Sequence, residues 1–411
     1  MLSKNLVSLE DWTTQQIIDV LNLATEIDSD IKKYKDLASG YLMANLFLEP
    51  STRTLGSFES AMKRMGAQTI TVSDINSSSM VKGESLADTI RIWSGYADLL
   101  VLRHPWEGSV KLASEYSDVP VINAGDGSHE HPTQTLCDLF TLRKEHGSLD
   151  GLKVVMCGDL KNGRTVNSLT CALIRFGAQI IFVPGEGLGL SDHMIEKLEV
   201  QYSAPLTRID PESLGLSDLV KSINKSNRDN AIYSTPKFPE ELGTENTFCS
   251  VSGEGKKEKL VLYMTRKQNE RDKNLEVNGD YPKINASVMK HSFLSNAILM
   301  HPLPRVDEIA TDLDRDPRSI YFQQARNGVP VRMALIALLL QLRHWSDQVE
   351  GEEPFSTTTV GKREVGATVC SNQVCVTKME PQSVEKESGI INRDLSHITC
   401  VYCGRLISNR I

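Results

Sequence analysis

The sequence lacks any segment suited to a lipid bilayer. Its longest apolar run, Met333 to Leu340, falls far short of the roughly twenty residues that a spanning helix needs. Met1 to Trp12 carries no apolar secretory core, so no signal peptide is expected and the protein reads as cytosolic. An excess of positive charge is also missing. Lys and Arg number 45 against 53 Asp and Glu, a net charge of -8, which argues against a nucleic-acid surface. A site for anionic ligands would have to be a local basic focus working against the global field. No Ser-His-Asp set, paired carboxylates or catalytic metal triad stands out, and no internal repeat appears. The turn Gly158 to Thr165 lacks the G-x-G-x-x-G spacing of a dinucleotide fingerprint.

What is present is alternation. With 411 residues the chain has room for two or three domains. A helical pattern over Thr13 to Lys33 precedes short apolar runs that alternate with helical ones. The expected strands are Leu42–Leu48, Thr69–Val72, Leu99–Leu102 and Val119–Ile122. A helix from Pro132 to about Glu145 leads into a second series, Leu152–Cys157, Gln179–Val183, Leu260–Met264 and Ala297–Met300. Alternation of this kind predicts an α/β protein of two doubly wound parallel sheets, with ligands beyond the carboxyl ends of the strands. A helix from about Val331 to Trp345 closes this part. Ser222 to Lys257 has no sustained period and reads as a surface insertion, and Asp347 to Glu364 reads as a polar linker.

The polar motifs mostly follow strands. Phe47-Leu48-Glu49-Pro50-Ser51-Thr52-Arg53-Thr54 leaves the first strand and opens a helix. Free backbone N–H groups and the helix dipole favour an anion there, and two hydroxyls plus a guanidinium make a phosphate site. The plain alternative is a capped helix with a solvated Arg. Ser78 to Gly83, with Lys82, precedes a helix beginning near Glu84 and Ser85. Arg103-His104-Pro105 ends a strand. His131-Pro132-Thr133-Gln134 opens a helix, where His131 can donate to a carbonyl oxygen and Gln134 can bond an amide. Lys161 and Arg164 sit at another helix start. Arg266 and Gln268 are two apart on an extended segment, which puts them on one face, suited to a carboxylate. The prolines of His301-Pro302-Leu303-Pro304-Arg305 stiffen a loop whose carbonyls could line a pocket. The set points to transfer between anionic small molecules by positioning and charge stabilisation.

Of eight cysteines, Cys137, Cys157, Cys171 and Cys249 are scattered through mostly apolar segments and read as core thiols. Cys370-x4-Cys375 and Cys400-x2-Cys403 crowd the tail in a four-thiolate zinc pattern. Four ligands leave no open position, so the expected metal is structural. Disulfides are the poorer alternative in a reducing cytosol.

Taken in order, Phe-x-Glu-Pro-Ser-Thr-Arg-Thr, Lys-Gly-Glu-Ser, Arg-His-Pro, His-Pro-Thr-Gln-Thr, Gly-Arg-Thr-Val, Tyr-Met-Thr-Arg-x-Gln and His-Pro-Leu-Pro-Arg-Val-Asp-Glu-Ile resemble the catalytic chain of the aspartate carbamoyltransferase family over about Ser3 to Trp345. The tail from about Val360 resembles the zinc domain of that family's regulatory chain, here fused to the catalytic chain. The resemblance implies a carbamoyl-phosphate lobe over 1–132, completed by a C-terminal helix at 328–345. It further implies an aspartate lobe over 133–327 with an insertion at 222–257, a linker at 346–364 and a zinc domain over 365–411. Carbamoyl phosphate would be held by Ser51, Thr52, Arg53, Thr54 and Arg103. Thr54, Arg103 and His131 would polarise its carbonyl, while Gln134 and the carbonyls of Leu303 and Pro304 hold its amide. Arg164, Arg266 and Gln268 would hold L-aspartate, with Ser78 and Lys82 reaching in from a neighbouring subunit of a homotrimer. Pairing of trimers is left open. The product would be N-carbamoyl-L-aspartate, for pyrimidine synthesis. Glu49 and Arg271 fall where the family bridges its lobes on closure. Leu55 departs from the family's frequent second Arg. Nothing between Trp345 and Val360 is long enough for a nucleotide-effector domain, so weak or absent ATP and CTP regulation by that route is expected. The alternative acceptor is ornithine, whose ammonium would want an acid rather than Arg266.

Overall fold

The computed structural model describes residues 4–73, 79–209, 232–235, 259–268, 281–346, 354, 370–384, 389–392 and 397–408. The chain divides into two units, Met1–Cys137 with Asn327–Ile411, and Asp138–Arg326. Among the described residues no helix is long and apolar enough to cross a membrane.

In the first unit, strands β1 (Leu42–Phe47), β2 (Gln68–Val72), β3 (Leu99–His104) and β4 (Val121–Asp126) form an all-parallel sheet in the order β2-β1-β3-β4. β3 and β4 are buried along their whole length, as near-continuous apolar runs covered on both faces should be. Parallel pairing needs crossovers, supplied by α2 (Thr52–Arg64), α3 (Leu86–Ser94) and α4 (Ser109–Tyr116), after an N-terminal α1 (Thr14–Ser29). Thr13 and Gln16 close a capping box at the start of α1. The register pairs Phe47 with Arg103, and Leu48 N–H donates to Arg103 O at 2.8 Å. The exits of β1 and β3 therefore lie side by side.

Helix α5 (Pro132–His146) carries the chain onward. The second unit holds β5 (Lys153–Gly158), β6 (Gln179–Pro184), β7 (Thr207–Ile209), β8 (Ile232–Ser234), β9 (Leu260–Met264) and β10 (Ile298–Met300), in the order β10-β9-β5-β6-β8-β7. The four strands from β10 to β6 are parallel, and α6 (Arg164–Arg175) follows β5. Their core runs from Val155 and Leu262 to Ile309 and Tyr321. Helix α7 (Tyr321–Leu339) then runs back into the first unit.

The structure corrects three sequence readings. The closing helix starts at Tyr321 rather than Val331, with Pro330 inside it; a proline usually marks a helix boundary, since it removes a donor and its ring crowds the preceding turn. It also stops at Leu339 and not at Trp345. Gln341 takes φ 57° and Leu342 N–H returns to Ala337 O at 2.8 Å, a left-handed helix ending. Trp345 instead packs edge-on against Trp12 at 5.4 Å. Finally, Ile232–Ser234 lies within the stretch read as a surface insertion, yet it is strand β8, with Ser234 and Thr235 buried. β7 and β8 pair antiparallel, so the second sheet is mixed at one edge. A three-residue strand is too short to show a period. The rest of 222–257 and nearly all of 347–364 lie outside the described residues.

In the tail, β11 (Gly389–Asn392), β12 (His397–Cys400) and β13 (Leu406–Ser408) form a small antiparallel sheet. Its four cysteines, with Val376 and Tyr402, share one hydrophobic cluster with Leu46, Leu86, Ile90 and Leu102 of the first unit.

Candidate functional site

In the first unit the anion-binding candidates gather at the carboxyl ends of three neighbouring strands. β1 ends in the loop to α2, whose first turn is Thr52-Arg53-Thr54. The amides of that turn have no acceptor inside the helix. Ser51 is the N-cap, yet its side chain makes no cap hydrogen bond, so the helix does not consume that hydroxyl. Thr54 is buried, while Thr52 and Arg53 are exposed at the loop surface. Arg103, at the end of β3, is buried and donates to Ala124 O at 3.0 Å and Glu49 Oε1 at 3.2 Å. Glu49 thus pairs with Arg103 inside this unit, and Arg271 lies outside the described residues. β4 leads to His131, buried one residue before α5, and half-buried Gln134 lies in the first turn. His131 Nδ1 lies 3.4 Å from Thr133 Oγ1. Lys82 ends a short turn, Ser79–Lys82, and is exposed. Ser78 lies outside the described residues.

Two imidazoles near these strand ends are not among the site residues selected from sequence, although His104 lies in the Arg103-His104-Pro105 stretch. His104 is fully buried, and burial pushes it down to about 3. It is neutral, with Nδ1 accepting from Trp106 N–H at 3.1 Å. His129 pairs with Asp126 at 2.9 Å. Burial opposes its charge, but the Asp126 carboxylate overrides this and holds it up to about 9.

The second unit brings its candidates to the ends of the adjacent parallel strands β5, β9 and β10. Arg164 opens α6 and is buried, and Arg266 and Gln268 follow β9, both half-buried. What ties them is Asp159, a residue that sequence reasoning did not select. It is fully buried just past β5, where one carboxylate oxygen accepts from Asn162 N–H at 2.9 Å and the other from Gln268 N–H at 3.0 Å. One side chain therefore fixes both the turn before Arg164 and the segment carrying Gln268. Gly158 makes room for this. It has φ 111°, and a Cβ there would stand 2.5 Å from the Tyr281 hydroxyl. That hydroxyl accepts from Asp159 N–H and donates to Thr265 O.

The His301–Arg305 loop beyond β10 is held in the same way. Glu308, also not selected from sequence, lies 2.8 Å from His301 Nε2, both side chains buried. His301 Nδ1 accepts from Leu303 N–H at 2.8 Å. Burial pushes His301 below its ordinary range, despite Glu308 and with help from the Arg266 and Arg305 charges. Leu303 has φ 55°, a conformation that a leucine rarely adopts and that concentrates at functional sites. Leu303 is half-buried and Pro304 exposed.

In the tail, the sulfur atoms of Cys370, Cys375, Cys400 and Cys403 all lie within 4.8 Å of one another and are buried. Cys370 and Cys403 are 3.6 Å apart and Cys375 and Cys400 3.8 Å. Those separations are too long for disulfides. They match the roughly 3.8 Å edge of a tetrahedron with metal–sulfur bonds of about 2.3 Å. Hydrogen bonds from Cys403 and Cys400 pull Cys370 and Cys375 below the ordinary thiol range, and the same partnerships push Cys403 and Cys400 up. Four thiolates this close would repel, so the set fits a cation.

Comparison with known proteins bears on the two α/β units. Residues 4–144 match the family profile "Aspartate/ornithine carbamoyltransferase, carbamoyl-P binding domain". Residues 229–339 match "Aspartate/ornithine carbamoyltransferase, Asp/Orn binding domain". The aspartate carbamoyltransferase catalytic subunit of Alkaliphilus oremlandii is 42% identical over 343 residues, 82% of this chain and 91% of its own. That of Methanocaldococcus jannaschii is 42% identical over 346 residues, 82% and 98%. A solved structure of the M. jannaschii catalytic subunit superposes with a TM-score of 0.64 at 41% identity, over 82% of this chain and 98% of that one. The Trypanosoma cruzi enzyme in complex with carbamoyl phosphate and aspartate superposes with a TM-score of 0.60 at 32% identity, over 81% and 95%.

Proposed function

The chain belongs to the aspartate carbamoyltransferase catalytic-subunit family, and on that premise we propose how its own residues carry the transfer of a carbamoyl group from carbamoyl phosphate to L-aspartate. The phosphate is taken at the start of α2 by Ser51, Thr52, Arg53 and Thr54, with Arg103. The helix N-terminus and two guanidinium groups offset a dianion's charge. Thr54, Arg103 and His131 donate to the carbamoyl oxygen, where negative charge grows as the carbon becomes tetrahedral. Gln134 and the carbonyls of Leu303 and Pro304 hold the amide end. Arg164 and Arg266 hold the carboxylates of aspartate, with Gln268, and Ser78 and Lys82 enter from a neighbouring subunit of a homotrimer. The uncharged amine of aspartate attacks the carbamoyl carbon. A C–N bond forms, the C–O bond to phosphorus breaks, and phosphate leaves with the amine proton. Positioning and fixed charge supply the catalysis.

The observation that carries the choice of acceptor is Asp159. Through hydrogen bonds to backbone N–H groups it holds the Arg164 and Gln268 segments, and so sets two guanidinium groups, Arg164 and Arg266, at neighbouring strand ends. Such a site suits a second carboxylate and disfavours an ornithine ammonium. Titration calorimetry with a phosphonate bisubstrate analogue, phosphonoacetyl-L-aspartate, tests the assignment. Tight binding that Arg266→Ala weakens at least a hundredfold, about 2.7 kcal/mol, supports it, and binding indifferent to that change contradicts it.

The tail is proposed to be a zinc domain of the kind carried by the family's regulatory chain, fused in this chain to the catalytic one. Cys370, Cys375, Cys400 and Cys403 would hold the ion, which supplies folding energy and no open coordination position. The protein is proposed to work in the cytosol, in the synthesis of pyrimidines.

A further inference from the structure

The tail is joined to the first unit through two buried carboxylates as well as a shared core. Glu107, 1% exposed, accepts from Asn372 Nδ2 and from the Arg405 guanidinium, each at 2.7 Å. Its backbone N–H donates to Val374 O at 3.0 Å and its carbonyl accepts from Val376 N–H at 2.9 Å, which clamps Cys375 between them. The neighbouring Gly108 has φ 81°, and a Cβ there would lie 2.6 Å from Tyr402 Cβ. The far end of α4 is held too, where the Tyr116 hydroxyl donates to Ser383 O at 2.6 Å.

The second carboxylate acts elsewhere. Glu380, 4% exposed, accepts from Leu86 N–H at 2.5 Å. Leu86 opens α3, so its amide has no acceptor in its own helix. Ser85 Oγ serves a different amide, that of Asp88, at 3.0 Å. The tail thus supplies half of the cap of α3. One short turn before Leu86 stands Lys82, in a loop closed by Gly83 N–H to Met80 O at 2.9 Å. Glu107 holds the exit of β3, the strand that ends with Arg103 and His104.

We propose that the thiolate tail braces the carbamoyl-phosphate cluster. With its metal bound, it fixes the β3–α4 turn through Glu107 and the start of α3 through Glu380, and so preorganises Arg103 for this chain's site and Lys82 for the neighbouring subunit's. Glu380 and Glu107 are positioning residues, since neither reaches substrate in the scheme above. Metal occupancy and affinity for carbamoyl phosphate are then linked, and by reciprocity carbamoyl phosphate slows metal loss. The inference rests on the roles given above to Lys82, Arg103 and the four cysteines.

The test uses the full chain, zinc-loaded and chelator-stripped, read by amide hydrogen exchange, by colorimetric zinc release and by steady-state kinetics. Stripping should speed exchange at Leu86 and at Glu107 about tenfold or more, as these two amides lose their acceptors Glu380 and Val374 O. It should also raise the KM for carbamoyl phosphate about tenfold while kcat stays within about twofold, the sign of lost preorganisation rather than lost chemistry. Glu380→Ala should retain zinc and reproduce only the α3 part, and Asn372→Ala should loosen only the β3–α4 turn. Saturating carbamoyl phosphate should slow zinc release in the wild type. Exchange unchanged by stripping would overturn the brace. Faster exchange with an unmoved KM and unmoved zinc release would overturn its link to substrate. Absence of turnover in the zinc-loaded wild type would instead strike the proposed reaction, and the exchange readout does not depend on it.

Discussion

On the proposed reading, the two units each hold a small anion, and they do so in different ways. The first builds its cluster from a contiguous stretch, Ser51 to Thr54, whose first-turn amides have no acceptor within the helix that starts there. Arg103 joins it by strand register and is already paired with Glu49. The second has no such contiguous element. Arg164 comes from the end of β5 and Arg266 with Gln268 from the end of β9, and the buried Asp159 fixes these segments through hydrogen bonds to backbone N–H groups. A phosphate group can be recognised largely by main chain. An amino acid needs side chains placed individually, and each placement needs a buried partner.

The sharpest way to break this comparison is to remove one element from each side. Arg53→Ala should lower kcat/KM for carbamoyl phosphate about a thousandfold, because charge-assisted hydrogen bonds contribute roughly 1.5–3 kcal/mol each and the fork makes more than one. Saturation kinetics with a near-normal constant would remove the loop from its role. Asp159→Ala should act on the other substrate. Leaving the Asn162 and Gln268 amides unsatisfied costs about 1–3 kcal/mol apiece, so the KM for aspartate should rise about a hundredfold with that for carbamoyl phosphate little changed. Equal rises in both constants would mean that the two clusters are not built independently.

A pH series probes the first unit's two imidazoles, with the lowered His301 of the second unit adding to the acid limb. His104 is held down to about 3 by burial, so its contribution to stability is complete above its ordinary 6.5 and is lost as pH falls toward 3. His129 runs the other way. Burial opposes its charge, but Asp126 holds it up to about 9, so its contribution is complete below 6.5 and is lost as pH climbs through 9. Thermal unfolding temperature should therefore peak near pH 6.5, and His129→Gln should flatten the alkaline limb while leaving the acid one. An alkaline limb unaffected by that change would show that the Asp126 pair does not contribute as described. The smallest effect is expected at the exposed Lys283–Asp307 pair. Lys283→Ala should shift unfolding free energy by less than about 0.5 kcal/mol in a denaturant titration, since exposed ion pairs contribute little.

The contrast also explains what could be read from sequence. The Phe47–Thr54 motif, the helix opening at Pro132 and the four cysteines are local patterns with fixed spacing, and the strands follow from short apolar runs. Asp159, Glu107, Glu308 and Glu380 were not legible. Each is an acidic residue whose meaning lies in a backbone or side-chain partner that the fold supplies, and Leu86 stands 294 positions from Glu380. The ten residues of α7 up to Pro330 were missed because a proline inside a helix looks the same in sequence as one at its start. The Cys pattern could announce a metal site, but nothing in its spacing says that it docks on the exits of β3 and the start of α3.

The central claim is that the second unit's guanidinium cluster selects an acidic acceptor. The most direct measurement is carbamoyl transfer by the purified full chain with carbamoyl phosphate and either L-aspartate or L-ornithine, the products separated and quantified. The account predicts N-carbamoyl-L-aspartate and phosphate in equal amounts, and no citrulline. Citrulline formation at a comparable rate would contradict the reading of Arg164, Arg266 and Gln268.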